Sequence, residues 1–188
     1  MGRISVFNFM SLDGFFEGPR KGDISWHRHD AEGGAFAAES LKQGSTLLFG
    51  RVTYDIMSSY WPTASAIQQD PVVAERMNNA GKIVFSRTMK TAGWQNTTVM
   101  GGEIVDAVRN LKQTDGKDMT ILGSGSIVTL FAEHGLIDSY QFMVDPVVIG
   151  NGTKVFNGIS KRLNLSLTAT RRFDNGCVLL CYEPAEQR

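Results

Sequence analysis

Apolar residues along the chain fall into short runs, and the spacing within and between the runs predicts the secondary structure. Residues 4–10 are nearly all apolar, as expected of a strand covered on both faces. Residues 46–49, 82–86 and 119–122 are short apolar runs that stop at turn or polar residues, and 97–100 adds a less apolar one. Residues 140–149 form a long β-branched run containing Pro146. Proline lacks the ladder donor, so a bulge or a sheet edge is expected there. Leu163, Leu165, Leu167 and Ala169 alternate with polar residues, which predicts a half-buried strand, and residues 177–182 make the eighth strand. Between the last two stands Asp174-Asn175-Gly176, a hairpin signal because Asn and Gly tolerate the positive φ of tight turns.

Helical spacing appears between the early strands. Ile104, Val105, Val108 and Leu111 share one stripe. Ile127, Val128, Leu130 and Phe131 share another, with Gly135 as a C-terminal cap. Residues 31–42, 52–59 and 71–79 are further helix candidates. Strand and helix alternate for two thirds of the chain, and then strand follows strand. That order predicts one α/β domain over residues 1–188, with a mostly parallel mixed sheet, helices on both faces and an antiparallel C-terminal hairpin. Residues 14–30 lack periodicity and carry glycines and charges, which suits a lid or binding loop. Residues 61–70 read as a second loop with no assignable chemistry.

Composition narrows the possible functions. Nineteen basic residues balance nineteen acidic ones, so no concentrated basic surface for nucleic acid is expected. No apolar run approaches the ~20 residues of a membrane span. Residues 1–10 run into Ser11-Leu12-Asp13-Gly14 without a small-residue cleavage pattern, so no secretory signal is expected. The sequons at Asn96 and Asn151 then carry no weight. Cys177 and Cys181 on one strand would lie ~13 Å apart at ~3.3 Å per residue, too far for a disulfide. A reducing, cytoplasmic setting is expected.

Candidate chemistry concentrates at three junctions where an apolar strand runs into a turn or helix. In Phe49-Gly50-Arg51-Val52-Thr53-Tyr54, Gly50 allows close backbone approach, the helix start offers unpaired N–H groups, and Arg51 adds a forked cation, all suited to phosphate. The same residues suit a capped surface helix. Ser86-Arg87-Thr88 after the 82–86 run can form a compact anion site or a solvated turn. Gly123-Ser124-Gly125-Ser126-Ile127 can admit a pyrophosphate at a helix start or be a plain tight turn. Val128 stands where the full dinucleotide fingerprint has its third glycine. Open α/β sheets bind ligands at the C-terminal ends of their strands, and all three junctions would lie there. Two arginines beside two phosphate-suited turns fit NADP.

These segments, in this order, resemble the dihydrofolate reductase superfamily, and most of all its branch related to the C-terminal reductase domain of bacterial riboflavin-biosynthesis enzymes. Ser11-Leu12-Asp13-Gly14, Gly50-Arg51-Val52-Thr53, Val84-Phe85-Ser86-Arg87-Thr88 and the glycine turn at 123–126 carry the resemblance. So do Gly135-Leu136-Ile137-Asp138 and the stretch from Pro146 to Gly152. The resemblance implies a three-layer αβα fold and NADPH bound across the sheet edge. Gly50, Arg51 and Thr53 would hold phosphates, and Ser86, Arg87 and Thr88 the adenosine end with its 2′-phosphate. Gly123, Ser124, Gly125, Ser126 and Ile127 would cradle the pyrophosphate and nicotinamide side. The implied substrate is a pterin-like or pyrimidine-like heterocycle, with 5-amino-6-(5-phosphoribosylamino)uracil as the candidate and Arg20, Lys21 or Arg28 available for its phosphate. A homodimer formed through the C-terminal strands is also implied.

Hydride transfer rests on positioning, but a proton must still reach the product. Asp13 and Asp30 are the candidate catalytic carboxylates and Trp26 a candidate substrate wall. Asp13 also suits capping its own turn, and Trp26 a loop anchor. Dihydrofolate reductases carry a carboxylate on the helix before the Gly-Arg motif, and neither Asp30 nor Glu32 matches that position. His27, His29 and Asp30 are not accompanied by another clustered ligand and carry no metal expectation. Dihydrofolate reduction itself and a non-catalytic nucleotide-binding module are the alternative functions.

Overall fold

The side chains of the central strands alternate between two apolar layers, which is why their sequences read as continuous apolar runs. On β3 (Thr46–Gly50), Leu48 packs into one core while Leu47 and Phe49 pack into another. On β4 (Lys82–Phe85), Ile83 and Phe85 join the first core and Val84 the second. Each fully buried Leu or Phe contributes roughly 1.5–3 kcal/mol. The computed structural model describes residues 1–41 and 45–185.

One eight-stranded sheet takes strands from both ends of the chain, in the order β5-β4-β3-β6-β1-β7-β10-β9. Here β1 is Ile4–Ser11, β5 Thr97–Met100, β6 Met119–Leu122, β7 Ser139–Asp145, β9 Leu165–Arg172 and β10 Val178–Pro184. The strands from β5 to β7 are mutually parallel, while β10 and β9 are antiparallel additions. Helices α5 (Ile104–Thr114) and α6 (Gly125–Glu133) cover one face with Val108, Val128 and Phe131. The other face is covered by α1 (Ala31–Ser40), α2 (Arg51–Tyr60) and α4 (Pro71–Asn79), through Phe36, Tyr54, Val73 and Met77. This is the three-layer, mostly parallel arrangement predicted, with the Asp174–Gly176 turn joining β9 to β10.

Several expectations need correction. The run over 140–149 is a strand only to Asp145. β7 is interior, paired with β1 and β10, and Pro146 follows its end instead of bulging it. The 163–169 strand begins at Leu165 and is not half-buried: it is the sheet edge, with Leu167 56% exposed. Leu163 and Leu165 at its start pack against the main core, while Leu167 and Ala169 further along are exposed among the described residues. Residues 61–70 are not a loop. They contain α3 (Ala64–Gln69), whose N-cap Thr63 accepts a hydrogen bond from the Ala66 amide at 3.2 Å. Within 14–30, β2 (Phe15–Glu17) pairs antiparallel with β8 (Thr153–Lys154) in a separate two-stranded sheet. The expected helix at 31–42 ends at Ser40, and Lys42 lies outside the described residues. Both cysteines are free.

Candidate active site

The three junctions come together because β4, β3 and β6 are neighbours and all point the same way. At ~4.8 Å per strand, β4 to β1 spans ~14 Å of one sheet edge. Ser124 ties two of the junctions. Its hydroxyl accepts from the Gly50 amide at 2.9 Å and donates to the Leu122 carbonyl at 3.1 Å, while its own amide donates to Thr53 Oγ1 at 3.1 Å. Ser124 is held at φ 56° beside Gly123 at φ 59°. Both are left-handed, and the pair turns the chain sharply into α6, where the Ile127 and Val128 amides donate to the Ser124 carbonyl at 2.9 and 3.0 Å. A Cβ on Gly125 would stand 2.8 Å from the Phe16 ring, so only glycine fits there without displacing β2. At the second junction Ser86 Oγ accepts from the Thr88 and Met89 amides at 3.3 and 3.0 Å, leaving the Arg87 and Thr88 side chains exposed. The Arg51 guanidinium bonds Asp55 at 2.9 Å on the surface of α2.

A cleft of about 600 Å³ opens from this edge along the α1 side of the sheet. Phe9, Phe16, Ile24, Phe36 and Ile56 supply apolar walls, and Thr53 and Gly123 bring the first and third junctions to its rim. Asn8 and Glu17 are polar members of the lining at the junction end. Glu17 accepts from the Gly22 amide at 2.6 Å and from Thr153 Oγ1 at 3.1 Å, fastening the 17–22 loop to β8.

The model of the RibD C-terminal domain matches residues 3–179. This chain belongs to the RibD C-terminal domain family. It is 32% identical over 180 residues to the uncharacterized protein YyaP of Bacillus subtilis, covering 96% of this chain and 94% of YyaP. The fold is shared with a Thermotoga maritima protein described as a diaminohydroxyphosphoribosylaminopyrimidine deaminase/5-amino-6-(5-phosphoribosylamino)uracil reductase. That likeness has a TM-score of 0.71 and 16% identity and covers 98% of this chain and 57% of that one. It is shared also with dihydrofolate reductase of Enterococcus faecalis complexed with NADP(H), at a TM-score of 0.67 and 14% identity over 98% of each chain. The dihydrofolate-reductase-like fold expected from the sequence is thus present.

Within this RibD C-terminal domain the candidate carboxylates are engaged outside the cleft lining. Asp13 accepts from Ser11 Oγ at 2.7 Å and from the Gly150 and Ile149 amides at 2.8 and 3.2 Å. Desolvation opposes its ionisation, but the Ser11 hydroxyl and these two amides outweigh it and hold the carboxyl below its ordinary range. Two stretches carrying the resemblance, at 11–14 and 146–152, therefore meet through Asp13. Asp30 is the N-cap of α1 and accepts from the Gly33 amide at 2.7 Å. Trp26 donates its indole N–H to the Asp23 carbonyl at 3.1 Å and does not line the cleft, where Phe36 and Ile24 take the wall position. Glu32 pairs with Arg171 at 2.9 Å. Arg28 donates to the Asn175 carbonyl at 3.0 Å, and Arg20 lies 4.0 Å from Asp23.

Sequence reasoning missed a buried cluster at the ends of β7 and β10. Asp145 accepts from His27 Nδ1 at 2.8 Å, the Arg28 amide at 2.8 Å and the Cys177 thiol at 3.3 Å. His27 stacks on Phe9 with ring centroids 3.6 Å apart. Desolvation raises the Asp145 carboxyl, yet these donors outweigh it and hold it below its usual range. Burial and the adjacent carboxylate push the Cys177 thiol up to about 12. The three potential ligand atoms lie within 4.8 Å of one another, but each already makes a hydrogen bond, and the cluster pins the 18–30 loop against the sheet. The members are 118 and 32 positions apart, so no local motif could have announced them.

Proposed function

We propose that the protein is an NADPH-dependent reductase that delivers hydride to a pyrimidine-like or pterin-like heterocycle, with 5-amino-6-(5-phosphoribosylamino)uracil as the candidate substrate. The observation that carries this reading is the Ser124 bridge. It locks two helix starts into one unit on the rim of an apolar cleft, with the Ser86-Arg87-Thr88 turn one strand further along the same edge. The activity named for the Thermotoga maritima protein and the NADP(H) complex of the Enterococcus faecalis enzyme support it.

The residues present fit the cofactor. The Gly123-Ser124 pair, both left-handed, turns the chain into the start of α6, the kind of turn and helix start that suits a pyrophosphate. Gly50, Arg51 and Thr53 would hold phosphate at the α2 start. The Arg51–Asp55 pair is exposed and worth at most ~1 kcal/mol, so a phosphate displaces it readily. Ser86, Arg87 and Thr88 would meet the adenosine end, with Arg87 free to take a 2′-phosphate. Gly123 to Ile127 would line the pyrophosphate and nicotinamide side. When bound, NADPH supplies the hydride. The chain's own part is to align the heterocycle between Phe9, Phe36 and Ile56, to exclude water with those walls, and to keep the 146–150 loop in place through Asp13.

Dihydrofolate reduction itself is less favoured, because Asp30 and Glu32 at the start of α1 are engaged in a cap and an ion pair. No helix among the described residues is long and apolar enough to cross a membrane. Together with two free thiols, this supports placing the enzyme in the cytoplasm. We further propose a homodimer formed by β9, the exposed edge strand.

Titration with NADPH and NADH tests the reading. Wild type is expected to prefer NADPH, and an Arg51→Ala, Arg87→Ala double variant to lose that preference while still melting cooperatively. Failure of wild type to bind either nucleotide would sink the reductase reading. Tight binding without oxidation of NADPH by any pyrimidine or pterin in a substrate panel would instead indicate a nucleotide-binding module.

A further inference from the structure

Asparagine is followed by glycine three times, at Asn151-Gly152, Asn157-Gly158 and Asn175-Gly176. In such a pair no side chain shields the glycine amide nitrogen, which can reach the Asn carboxamide carbon. The fold treats the three pairs differently. Asn175 is half-buried in the β9–β10 turn and tethered at every polar atom. Its Nδ2 donates to the Arg28 carbonyl at 2.8 Å, its Oδ1 accepts from the Cys177 amide at 2.9 Å, and its backbone carbonyl accepts from the Arg28 side chain at 3.0 Å. The Gly176 amide, the group that would attack, donates to the Phe173 carbonyl at 3.0 Å. Asn151 and Asn157 are exposed, and among the described residues neither side chain makes a hydrogen bond. Asn157 is held only through its backbone, by Thr129 Oγ1 and the Lys154 carbonyl, both at 3.3 Å. A Cβ on Gly158 would meet nothing within 4 Å, so that turn has room to rearrange. Gly152 has no such freedom of identity. It sits at φ 146°, and a Cβ there would stand 2.1 Å from the Glu17 carbonyl oxygen, so the fold itself requires glycine after Asn151.

We propose that Asn151 and Asn157 are sites of spontaneous deamidation and that the fold protects Asn175 from the same reaction. The Gly152 or Gly158 nitrogen attacks the Asn Cγ. The N–Cγ bond forms, the Cγ–Nδ2 bond breaks, and the amide proton leaves with the side-chain nitrogen as ammonia. Water then opens the cyclic imide at either carbonyl, giving aspartate or, with one more atom in the backbone, isoaspartate. Each conversion adds a negative charge to a chain whose formal net charge is zero. Position 151 bears most directly on the cleft. On one side of it Asp13 holds the Gly150 amide at 2.8 Å, and on the other Glu17 holds the Thr153 hydroxyl at 3.1 Å. Isoaspartate lengthens by one backbone atom a segment fastened at both ends. The mismatch falls on β8, which pairs with β2 through Thr153 and Glu17.

The test ages the full-length folded protein in ¹⁸O-labelled water at physiological temperature and mildly alkaline pH, with samples taken over weeks. Peptide mass spectrometry follows label uptake at each of the three pairs, and chromatography separates isoaspartate from aspartate. A parallel sample in concentrated guanidinium chloride supplies the rates of the same pairs without the fold. In guanidinium the three are expected to convert at comparable rates. In the folded protein Asn151 and Asn157 are expected to take up label while Asn175 lags both by about tenfold or more, because its two side-chain hydrogen bonds and that of the Gly176 amide must open first. Ion exchange of the aged wild type should show a ladder of more acidic species. An Asn151→Gln, Asn157→Gln double variant should lack it, since glutamine must close a larger, slower-forming ring. The peptide comparison on wild type decides the matter even if that variant does not fold. Conversion of Asn175 in the folded protein as fast as either Asn151 or Asn157 overturns the proposal, as does an aged folded protein in which none of the three takes up label while the guanidinium sample does.

Discussion

Asp145 shows how much one side chain can hold when it is buried with three donors. It joins β7 to the 18–30 loop through His27 and the Arg28 amide, and to the start of β10 through Cys177. Removing one partner of a buried charged network leaves the others unsatisfied, at a cost of about 3–5 kcal/mol. Asp145→Asn is therefore expected to lose about 3 kcal/mol or more in denaturant unfolding at neutral pH. The pH dependence has a definite sign. The carboxyl titrates below its ordinary 3.8 in the folded protein, so its contribution is fully present above that value and is lost as pH falls through the folded value. The gap between wild type and variant should narrow below about pH 3.8. A constant gap down to pH 2 would show that the ionised carboxylate is not what stabilises the loop.

At the scale of elements, helix starts and strand ends are fastened by single polar side chains. Ser124 joins α2 to α6, and Lys82 anchors the segment after α4 by donating to the Asn78, Ala80 and Gln95 carbonyls at 3.0, 2.8 and 3.1 Å. Lys112 and the Ile4 amide both bond Asp138 Oδ2, at 2.7 and 2.6 Å, so the Gly135–Asp138 stretch serves the far edge of the sheet, not the site. Ser124→Ala removes the acceptor of the Gly50 amide. A loss of about 1 kcal/mol in stability is expected, together with weaker NADPH binding, because the two helix starts are no longer held in register. Unchanged binding in a destabilised variant would separate the bridge from the site. The element pattern itself was largely legible. The exceptions were α3, β2 and β8, each only a few residues long, where tertiary contacts outweigh periodicity.

For the whole molecule, the feature to explain is the uncovered β9 edge. β9 pairs with β10 alone among the described strands, so its outer side carries backbone groups without a strand partner, together with Leu167 and Ala169 on an exposed face. Exposed edges invite strand pairing, and a second copy of the same edge is a self-complementary partner. Leu167→Lys is expected to shift the protein toward monomer in sedimentation, with little change in the far-UV spectrum. A wild type that sediments as a monomer at tens of micromolar would remove the dimer proposal.

The layer architecture is written in the apolar pattern, because strands covered on both faces must be apolar throughout and helices against a sheet must be apolar on one stripe. The sequence also marks the three strand-end junctions, since glycine, arginine and hydroxyl side chains at a helix start are local chemistry. The roles of the isolated polar side chains emerge only once the chain is folded. Asp13, Asp30 and Trp26 read as candidates for catalysis and substrate contact, yet their partners are a distant loop, a helix cap and a nearby carbonyl. Asn8 and Asp145 stood out in no local pattern. Their burial, and the partners that Asp145 has and Asn8 lacks, depend on strands that are far apart in the chain and adjacent only in the folded sheet.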